Sequence, residues 1–522
     1  MTHRMRILAV LLLGTLAVGT VWGAGAREPA AVAEQDNTLV VILGSDPEHL
    51  NPGISTSYPI GAVGASLFSA LVSRDSTGRP QPELAERWTV SADNLVYTFS
   101  LRSANWHDGQ PLTSADVKFS MEEVLAPNHG RFRTAFQFIS AIETPNERTV
   151  VIRLSRPYAP LINLLTVFDA PILPKHIFEG TDPLTNPANQ TPIGSGPFRF
   201  VEWVRGDRII LERNPDYFLD PAHLERVIYR VIPQDVARSI AIETGEADLL
   251  WGFYMPTSDL DRLEANPNVN IWKGLTIPSL YFVFINTDRP ALGDPRVRQA
   301  IMHAIDREQI VEQAQGGLGT IEGGPFGAGF DWATSAESDY RTLFPHDPAR
   351  ARQLLAAAGV QNLTLDFVYD SARGAFASAA EIMRDNLRQV GITLNIQPVE
   401  RSVMVERVYG RQYDLSMQSF TSGGDPAIGY HRIYLTTAAG TNFANATGWG
   451  NPEVDRILAE AASVSDIDRR AALYRQAFAI IAPEIPVLVL FNELSTEAYN
   501  VRLTGQRQRL DQRDGLELVR WR

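Results

Sequence analysis

Three short segments of the sequence combine aromatic side chains with small or polar residues. Ser55–Pro59 (STSYP) contains Tyr58, and Trp251–Tyr254 (WGFY) has three aromatic residues in four positions. Phe420–Pro426 (FTSGGDP) is soon followed by Tyr430. Aromatic faces pack against peptide side chains or sugar rings, and a glycine-rich backbone can come close enough to offer hydrogen bonds. We therefore expect a solute-binding role, with ordinary core packing as the alternative for each aromatic residue. The candidate contacts in these segments are Tyr58, Trp251, Tyr254, Phe420, Ser422, Gly423, Asp425 and Tyr430.

Residue patterns typical of catalysis are missing. The 522 residues contain no cysteine, no His-Glu-x-x-His and no Gly-x-Ser-x-Gly, and the nine histidines are scattered. The carboxylate pair Glu122-Glu123 lies on a predicted helix, where adjacent side chains point in different directions. We therefore predict no catalytic residues, no metal site and no cofactor. A secreted hydrolase with two acids facing across a cleft is the alternative of another class.

The overall charge excludes one class of partner. Lys and Arg number 47 against 60 Asp and Glu, which gives a net charge of −13. Nucleic-acid binding needs a basic footprint, so we expect no nucleic-acid partner. The absence of cysteine also excludes disulfides and a lipid-modified N-terminal cysteine.

The first 26 residues have the pattern of an export signal. Arg4 and Arg6 precede the apolar run Ile7–Val18, and small residues end at Ala24-Gly25-Ala26. These are the three regions of a secretory signal peptide, and the apolar run is shorter than the roughly 20 residues that span a membrane. We expect cleavage near Arg27 and a periplasmic protein that is not embedded in the membrane. An uncleaved anchor helix is the alternative.

The rest of the chain indicates a mixed α/β protein of about three domains. Thr38–Leu43 is a nearly continuous apolar run, as in a strand buried on both faces. Thr113–Asp116 has the form of a capping box, and Asp294-Pro295 predicts the start of one helix over Arg296–Gln315. We interpret Asp306-Arg307 as a solvated pair at a helix end.

One stretch, Pro82–Val117, reads PELAERWTVSADNLVYTFSLRSANWHDGQPLTSADV. It resembles the signature of the family 5 extracellular solute-binding proteins, the dipeptide, oligopeptide and nickel-binding group of ABC transporters. Six further matching pieces follow in the same order as in that family and extend the resemblance over nearly the whole mature chain. They are Gly194–Trp203, Leu211–Phe218, Glu243–Leu249, Ile285–Glu308, His346–Gly359 and Asn451–Leu458.

The resemblance implies the two-lobed periplasmic binding protein fold (class II type, cluster C), with an inserted third subdomain and a hinge between the lobes. It places the ligand between the lobes, where pockets are favoured. The order of the motifs gives lobe I as 34–65, 190–278 and 490–522, the insert as 66–189 and lobe II as 279–489. The crossings between lobes are expected near 274–280 and near 485–493.

The family also implies partners and a function. A monomeric binding protein captures a peptide or peptide-like solute and delivers it to an ABC permease heterodimer with its ATPase subunits. A chemoreceptor is an alternative recipient, and an oligosaccharide, an opine or a metal chelate is an alternative ligand.

Two departures from the dipeptide-binding branch bear on the ligand. That branch pairs the peptide ammonium with an aspartate before a Gly-Asp-Pro step, and here Ser422 is nearest that place. It pairs the ligand carboxylate with an arginine in a second-lobe loop, where Asp370 aligns here and Arg373 is close by. A buried charge without a partner is costly, so a strict dipeptide pocket is not expected.

Overall fold

The computed structural model describes residues 37–274, 277–321, 323–327, 330–371, 373–436, 444–464, 466–511 and 513–522. The predicted signal peptide, 1–26, lies outside these ranges. None of the helices in the described ranges is both long and apolar enough to cross a membrane.

A seven-stranded sheet forms the centre of lobe I. Its strand Thr38–Leu43 pairs in parallel with Arg226–Val231 on one side and with Leu249–Trp251 on the other, which explains why this strand is apolar along its length. The sheet therefore joins segments far apart in sequence. Its strands, in spatial order, are Phe198–Val204, Arg208–Arg213, Arg226–Val231, Thr38–Leu43, Leu249–Trp251, Ser495–Asn500 and Val269–Gly274.

A six-stranded mixed sheet forms the centre of lobe II. Ser279–Ile285 lies between two antiparallel partners, and six of its seven residues are buried. The strands, in spatial order, are Gly319–Thr320, Val487–Glu493, Ser279–Ile285, Leu415–Thr421, Leu363–Asp370 and Ile392–Val399.

A third, antiparallel sheet forms a separate core between the first two stretches of lobe I, and we call this part the insert. The signature aromatics Phe99 and Trp106 are buried in that core and Trp88 packs against it, as expected for structural residues. The four strands, in spatial order, are Ala85–Val90, Val96–Leu101, Thr149–Leu154 and Ile139–Asn146. Three two-stranded ribbons pair Val72–Arg74 with Pro80–Pro82, Ala104–Asn105 with Pro111–Leu112, and Leu503–Thr504 with Arg520–Trp521.

Helices cover these sheets, and several begin at the predicted caps. Thr113 and Asp116 form the capping box of Ser114–Phe119, and Asp294 accepts a hydrogen bond from Arg296 N at the start of Pro295–Ala304. The helices of lobe I and the insert are Tyr58–Leu67, Ser114–Phe119, the π-helix Ser120–Leu125, Ala126–Asn128, Gly130–Phe136, Leu161–Leu164, Lys175–Phe178, Asp235–Thr244 and Leu260–Glu264. Those of lobe II are Pro295–Ala304, Arg307–Ala314, Tyr340–Leu343, Pro348–Ala357, Gly374–Arg388, Arg401–Tyr409, Pro426–Gly429, His431–Tyr434, Pro452–Ser463 and Ile467–Glu484. Short 3-10 turns lie at Pro52–Ile54, Pro187–Asn189, Gly252–Tyr254, Thr257–Asp259, Asp331–Ala333, Ala336–Ser338 and Leu516–Leu518.

The single helix predicted over Arg296–Gln315 was wrong. The first helix ends at Ala304, and Asp306 caps a second helix, Arg307–Ala314, by accepting a hydrogen bond from Gln309 N at 2.9 Å. Arg307 is not solvated either, because it is buried and donates to Tyr340 O at 3.0 Å. The cap formed by Asp306 starts a new helix inside a pattern of apolar residues that looks continuous in the sequence.

The chain passes between the lobes twice. It leaves lobe I after Gly274 and enters lobe II at Ser279, and it returns from Glu493 to Ser495. The lobes also touch away from these passages, because Ala159 N of the insert donates to Ala462 O of lobe II at 2.8 Å. The residue ranges assigned to the lobes and the insert remain predictions.

Candidate ligand-binding site between the lobes

An aromatic face lies on the lobe I side of the interface. Tyr58, the first residue of the helix Tyr58–Leu67, stacks on Phe253 with ring centroids 4.2 Å apart and planes 9° apart. Phe253 lies in the tight turn after the strand Leu249–Trp251 and is 46% exposed. A large apolar ring this exposed, and supported by a second ring, is a surface that a ligand can cover.

The other two aromatic residues of that turn are buried. Trp251 has no exposed surface and belongs to the lobe I core, so it does not reach the interface in this structure. Tyr254 is 8% exposed, and its ring packs edge-on against Tyr58 at 5.3 Å. Burial raises the pKa of the Tyr254 hydroxyl to about 12, with a weak contact to Ser45 acting in the opposite direction.

Arg373 faces this aromatic pair from lobe II. Its guanidinium carbon lies 5.1 Å from the Phe253 ring centroid and 4.9 Å from that of Phe376. Its Nη2 donates to Ser419 Oγ at 2.6 Å. Cation–π contacts of this geometry stabilise by about 0.5–2 kcal/mol, depending on how dry they are. Arg373 therefore links the two lobes at the place where the resemblance expects a ligand contact.

Glu493 lies beside Arg373, at the end of the last strand of lobe II. Burial raises the pKa of this carboxyl, while Arg373 and the hydroxyl of Tyr281 act against that rise. The rings of Tyr281 and Phe376 surround the same guanidinium. Arg373 thus has a polar partner, an acidic neighbour and aromatic rings around it, which hold it in place without a ligand.

Ser422 serves the turn in which it lies. Its side chain is fully buried, and its hydroxyl accepts a hydrogen bond from Gly424 N at 3.1 Å. Gly423 and Gly424 have φ values of 66° and 88°, which glycine adopts without strain. The Ser422 amide donates to Pro278 O at 2.9 Å, as does the hydroxyl of Tyr430. The turn is thereby tied to the passage between the lobes.

Asp425 is committed to a buried ion pair. Its two oxygens accept hydrogen bonds from Arg470 Nη2 and Nη1 at 2.5 and 2.6 Å, and both side chains are less than 10% exposed. Oδ1 also accepts from Ala427 N at 2.8 Å and so caps the helix Pro426–Gly429. These contacts support a structural role, since a ligand ammonium would have to displace the paired guanidinium.

Phe420 and Tyr430 are also mostly buried. Phe420 is 6% exposed and packs edge-on against Phe282 and Phe284 of the lobe II sheet. Arg432 lies over the Phe420 ring, 4.4 Å from its centroid. Tyr430 has no exposed surface. Phe420 therefore holds Arg432 through a cation–π contact and leaves little of its own ring accessible to a ligand.

Gly423 provides a direct contact between the lobes. Arg74, at the end of the strand Val72–Arg74, donates from Nη1 to Gly423 O at 2.8 Å. A Cβ on the neighbouring Gly424 would lie 2.2 Å from that same Nη1 atom. The Gly-Gly step therefore lets a buried arginine approach the backbone of the opposite lobe.

The sequence analysis did not identify Arg74 or Arg432 as site residues, nor did it select Phe253 from its aromatic run. Arg74 and Gly423 are 349 positions apart, and no local pattern links them. The period-two spacing of a strand gave no signal for Phe253, because it places positions 251 and 253 on the same face, and Phe253 lies in the 3-10 turn that follows the strand. Across the described ranges, no group of three or more histidine or acidic side chains is arranged to hold a metal ion.

Comparison with known proteins identifies what this architecture resembles. Residues 79–442 match the family model described as bacterial extracellular solute-binding proteins, family 5 Middle. The chain is 27% identical over 520 residues to the oligopeptide-binding protein AppA of Bacillus subtilis, covering 95% of this chain and 93% of that protein.

Three solved structures have the same fold. AppA in complex with a nonapeptide superimposes with a TM-score of 0.81 at 25% identity, covering 93% of this chain and 99% of AppA. AgaA from Agrobacterium tumefaciens R10 in complex with agropinic acid superimposes with a TM-score of 0.82 at 25% sequence identity, covering 93% of this chain and 99% of AgaA. The third is the ABC transporter-associated periplasmic binding protein DppA from Helicobacter pylori, in complex with the peptide STSA. It superimposes with a TM-score of 0.82 at 24% sequence identity, covering 93% of this chain and 98% of DppA.

Proposed function

The chain belongs to the family 5 bacterial extracellular solute-binding proteins, and we propose that it captures a peptide or peptide-like solute between its lobes for an ABC importer. The observation that carries this proposal is the opposition of Phe253 in lobe I to Arg373 in lobe II. An exposed ring and an arginine facing each other across a hinge suit a ligand with both apolar and anionic parts.

The relatives support peptide-like ligands of more than one kind. AppA was solved with a nonapeptide, and AgaA with agropinic acid, an opine-type compound. Both share the fold of this chain over 93% of its length. A peptide is our first choice because AppA is related along 95% of the chain, and an opine is the second candidate. An oligosaccharide is the third candidate, because neither AppA nor AgaA was solved with one.

We infer that binding shifts an equilibrium between open and closed lobes. A ligand that touches both Phe253 and Arg373 binds the closed form more tightly, and it shifts the population by that difference in affinity. The closed monomer then docks on a permease heterodimer, and the ATPase subunits power import. In this scheme the protein returns its ligand unchanged, as a carrier does and a hydrolase does not.

Export to the periplasm is part of the same proposal. The pattern of residues 1–26 and the periplasmic description of DppA support it. N-terminal sequencing of protein recovered from the periplasm should begin at or near Arg27. Intact Met1 on that material would contradict cleavage.

A thermal-shift screen over dipeptides, longer peptides, opines and oligosaccharides tests the ligand class. A true ligand at 100 times its dissociation constant stabilises the folded state by about 2.7 kcal/mol. We expect stabilisation by peptides or opines, and we expect mass spectrometry to recover the bound compound unchanged. Stabilisation by oligosaccharides alone, or conversion of the ligand, would reject the proposal.

A further inference from the structure

Arg432 of lobe II is a cation held by a backbone carbonyl and an aromatic ring. Its Nε donates to Gly429 O at 2.9 Å, and its guanidinium lies over Phe420. Among the described residues, no carboxylate is within ion-pair distance of Arg432. Burial and, to a smaller extent, the nearby cation Arg131 lower the pKa of Arg432 to about 10, while Tyr409, Asp169 and Tyr430 act in the opposite direction.

Arg131 approaches from the insert. It lies on the helix Gly130–Phe136, which contacts the lobe II helix Pro426–Gly429 directly before Arg432. Its Nη1 donates to Asp169 Oδ1 at 2.5 Å, and the two side chains are 16% and 1% exposed. Two arginines therefore approach each other from opposite sides of the interface, and one carboxylate, Asp169, is ion-paired with Arg131 and acts on Arg432 only at longer range.

Two further arginines border the same region. Arg74 is buried and donates a hydrogen bond to the carbonyl of Gly423 in lobe II. No carboxylate within the described ranges of the chain forms an ion pair with Arg74. Arg513 is 14% exposed and is paired with Asp511 at 2.6 Å. The guanidinium of Arg513 lies 4.5 Å from the Tyr58 ring centroid and 4.3 Å from that of Phe168. This contact connects the arginines to the aromatic face that carries Phe253.

The charges of this region do not balance. Arg74, Arg131, Arg432 and Arg513 are four cations, whereas Asp169 and Asp511 are two anions. Uncompensated charge in a poorly hydrated place is costly unless a counter-ion occupies it. We call these four arginines the basic recess.

A second charged cluster nearby does not supply the missing anions. Arg509 bonds to Ser73 and to Glu517, and Ser73 points to the opposite side of its strand from Arg74. Asp514 acts on Arg74 less than Asp169 and Asp511 do. Burial also raises the pKa of Asp514, which disfavours its charged form.

We propose that the basic recess selects an anionic, carboxylate-bearing solute, with Arg432 as the residue that decides this specificity. The inference deepens the proposed function, on which it rests, by naming the charge of the ligand. Asp169 alone does not neutralise both Arg131 and Arg432 when the lobes close. A ligand carboxylate between the two arginines turns their repulsion into two charge-assisted hydrogen bonds. Ligand charge and lobe closure are thereby coupled.

Asp169 limits the kind of anion further. Its second oxygen, Oδ2, is buried and accepts no hydrogen bond from the residues that the structure describes. A buried carboxylate oxygen favours a proton donor, so the solute that suits this place carries an N–H group beside its negative charge. An acidic peptide or an amino-acid-derived dicarboxylate has both groups, whereas an inorganic anion such as sulfate lacks the donor.

Calorimetry with three tripeptides tests the proposal on the full mature chain. Ala-Glu-Ala, Ala-Gln-Ala and Ala-Lys-Ala are used as C-terminal amides, so that they differ in one side chain, which is anionic, neutral or cationic, and only the first carries a carboxylate. We expect the glutamate peptide to bind about tenfold or more tightly than the glutamine peptide, the range of a hydrogen bond to a charged group. The lysine peptide should bind most weakly. Equal affinities for the glutamate and glutamine peptides would overturn the inference and leave peptide binding in place.

Variants then locate the effect. Arg432→Met should remove the preference for the glutamate peptide, and Arg432→Lys should keep part of it because the charge remains. Arg388→Met is the matched control, since Arg388 is 76% exposed at the far end of the helix Gly374–Arg388. A preference that persists in a folded Arg432→Met protein would reject the role of Arg432.

A non-peptide pair separates failure of the inference from failure of peptide binding. If no tripeptide binds, the peptide proposal fails, and N-acetylglutamate is compared with the uncharged N-acetylglutamine amide by thermal shift. Stronger stabilisation by N-acetylglutamate would support the charge preference alone. Equal stabilisation, or none at millimolar concentration, would overturn it.

Discussion

Phe253 and Arg373 meet across the lobe interface, with the guanidinium carbon 5.1 Å from the ring centroid. The same ring stacks on Tyr58, and the same guanidinium donates to Ser419. One aromatic surface of lobe I and one cation of lobe II are thus each fixed by their own lobe before they contact each other. This arrangement joins the lobes with little internal rearrangement, as hinge closure requires.

Phe253→Ala should weaken ligand binding and leave folding nearly unchanged. The ring is 46% exposed, so its loss removes little buried core, but it removes the stacking and cation–π contacts. We expect about a tenfold loss of affinity for the peptide that gives the largest thermal shift. Val236→Ala, at a 63% exposed apolar residue on the helix Asp235–Thr244, is the control. A similar loss in both variants would argue against a specific role for Phe253.

Asp425→Asn should destabilise the protein by about 3–5 kcal/mol, because it leaves the buried Arg470 without its anion. Denaturant unfolding measures this change. Glu453→Gln, which breaks a solvent-exposed pair with Arg456, is the control and should leave the free energy of unfolding nearly unchanged. Ser422→Ala loses one hydrogen bond to the turn and should cost about 1 kcal/mol.

The same variant tests whether Asp425 anchors a peptide amine. Since Asp425 is already paired and Ser422 is uncharged, acetylation of a bound peptide's α-amine should change its affinity by only a few-fold. A large loss on acetylation, together with an Asp425→Asn protein that is stable but does not bind, would assign the ammonium to Asp425.

Glu497→Gln should remove a pH-dependent part of the stability. Burial raises the pKa of Glu497 from 4.5 to about 7, although Arg507 acts against the rise. The folded state therefore binds an extra proton between about pH 4.5 and 7, and the stabilisation present below that window is lost as the pH rises through it. Within this window the contribution of Glu497 to the free energy of unfolding falls by at most about 1.4 kcal/mol per pH unit.

Denaturant unfolding from pH 4 to 8 measures the free energy of unfolding of the wild type and of Glu497→Gln. The difference between the two free energies should show this slope. Glu225→Gln, at a carboxylate that is 60% exposed, is the matched control and should give a nearly flat difference. A flat difference for Glu497→Gln as well would mean that this carboxyl is ionised throughout the range.

Ligand should make the molecule more compact. If the lobes close as rigid bodies around Gly274–Ser279 and Glu493–Ser495, small-angle scattering should show a smaller radius of gyration at saturation, while circular dichroism stays unchanged. An unchanged radius with a verified ligand would instead indicate a rigid, preformed pocket.

Much of the architecture was determined by local sequence. The apolar run Thr38–Leu43 forms a strand paired on both sides, and the caps at Thr113 and Asp294 start their helices. These features depend on neighbouring residues only, because capping bonds and strand burial have fixed short spacings. The break at Asp306 was missed because its cap lies within a continuous apolar pattern.

The site depended on tertiary structure. The sequence marked Trp251–Tyr254 as aromatic, but strand pairing buries Trp251 and the 3-10 turn after the strand leaves Phe253 exposed. Arg74, Arg131, Arg432 and Arg513 are unremarkable in sequence, and they become a basic recess only because three distant segments and the C-terminal return converge on one turn. Charge balance is a sum over groups close in space, and a sequence gives only their order along the chain.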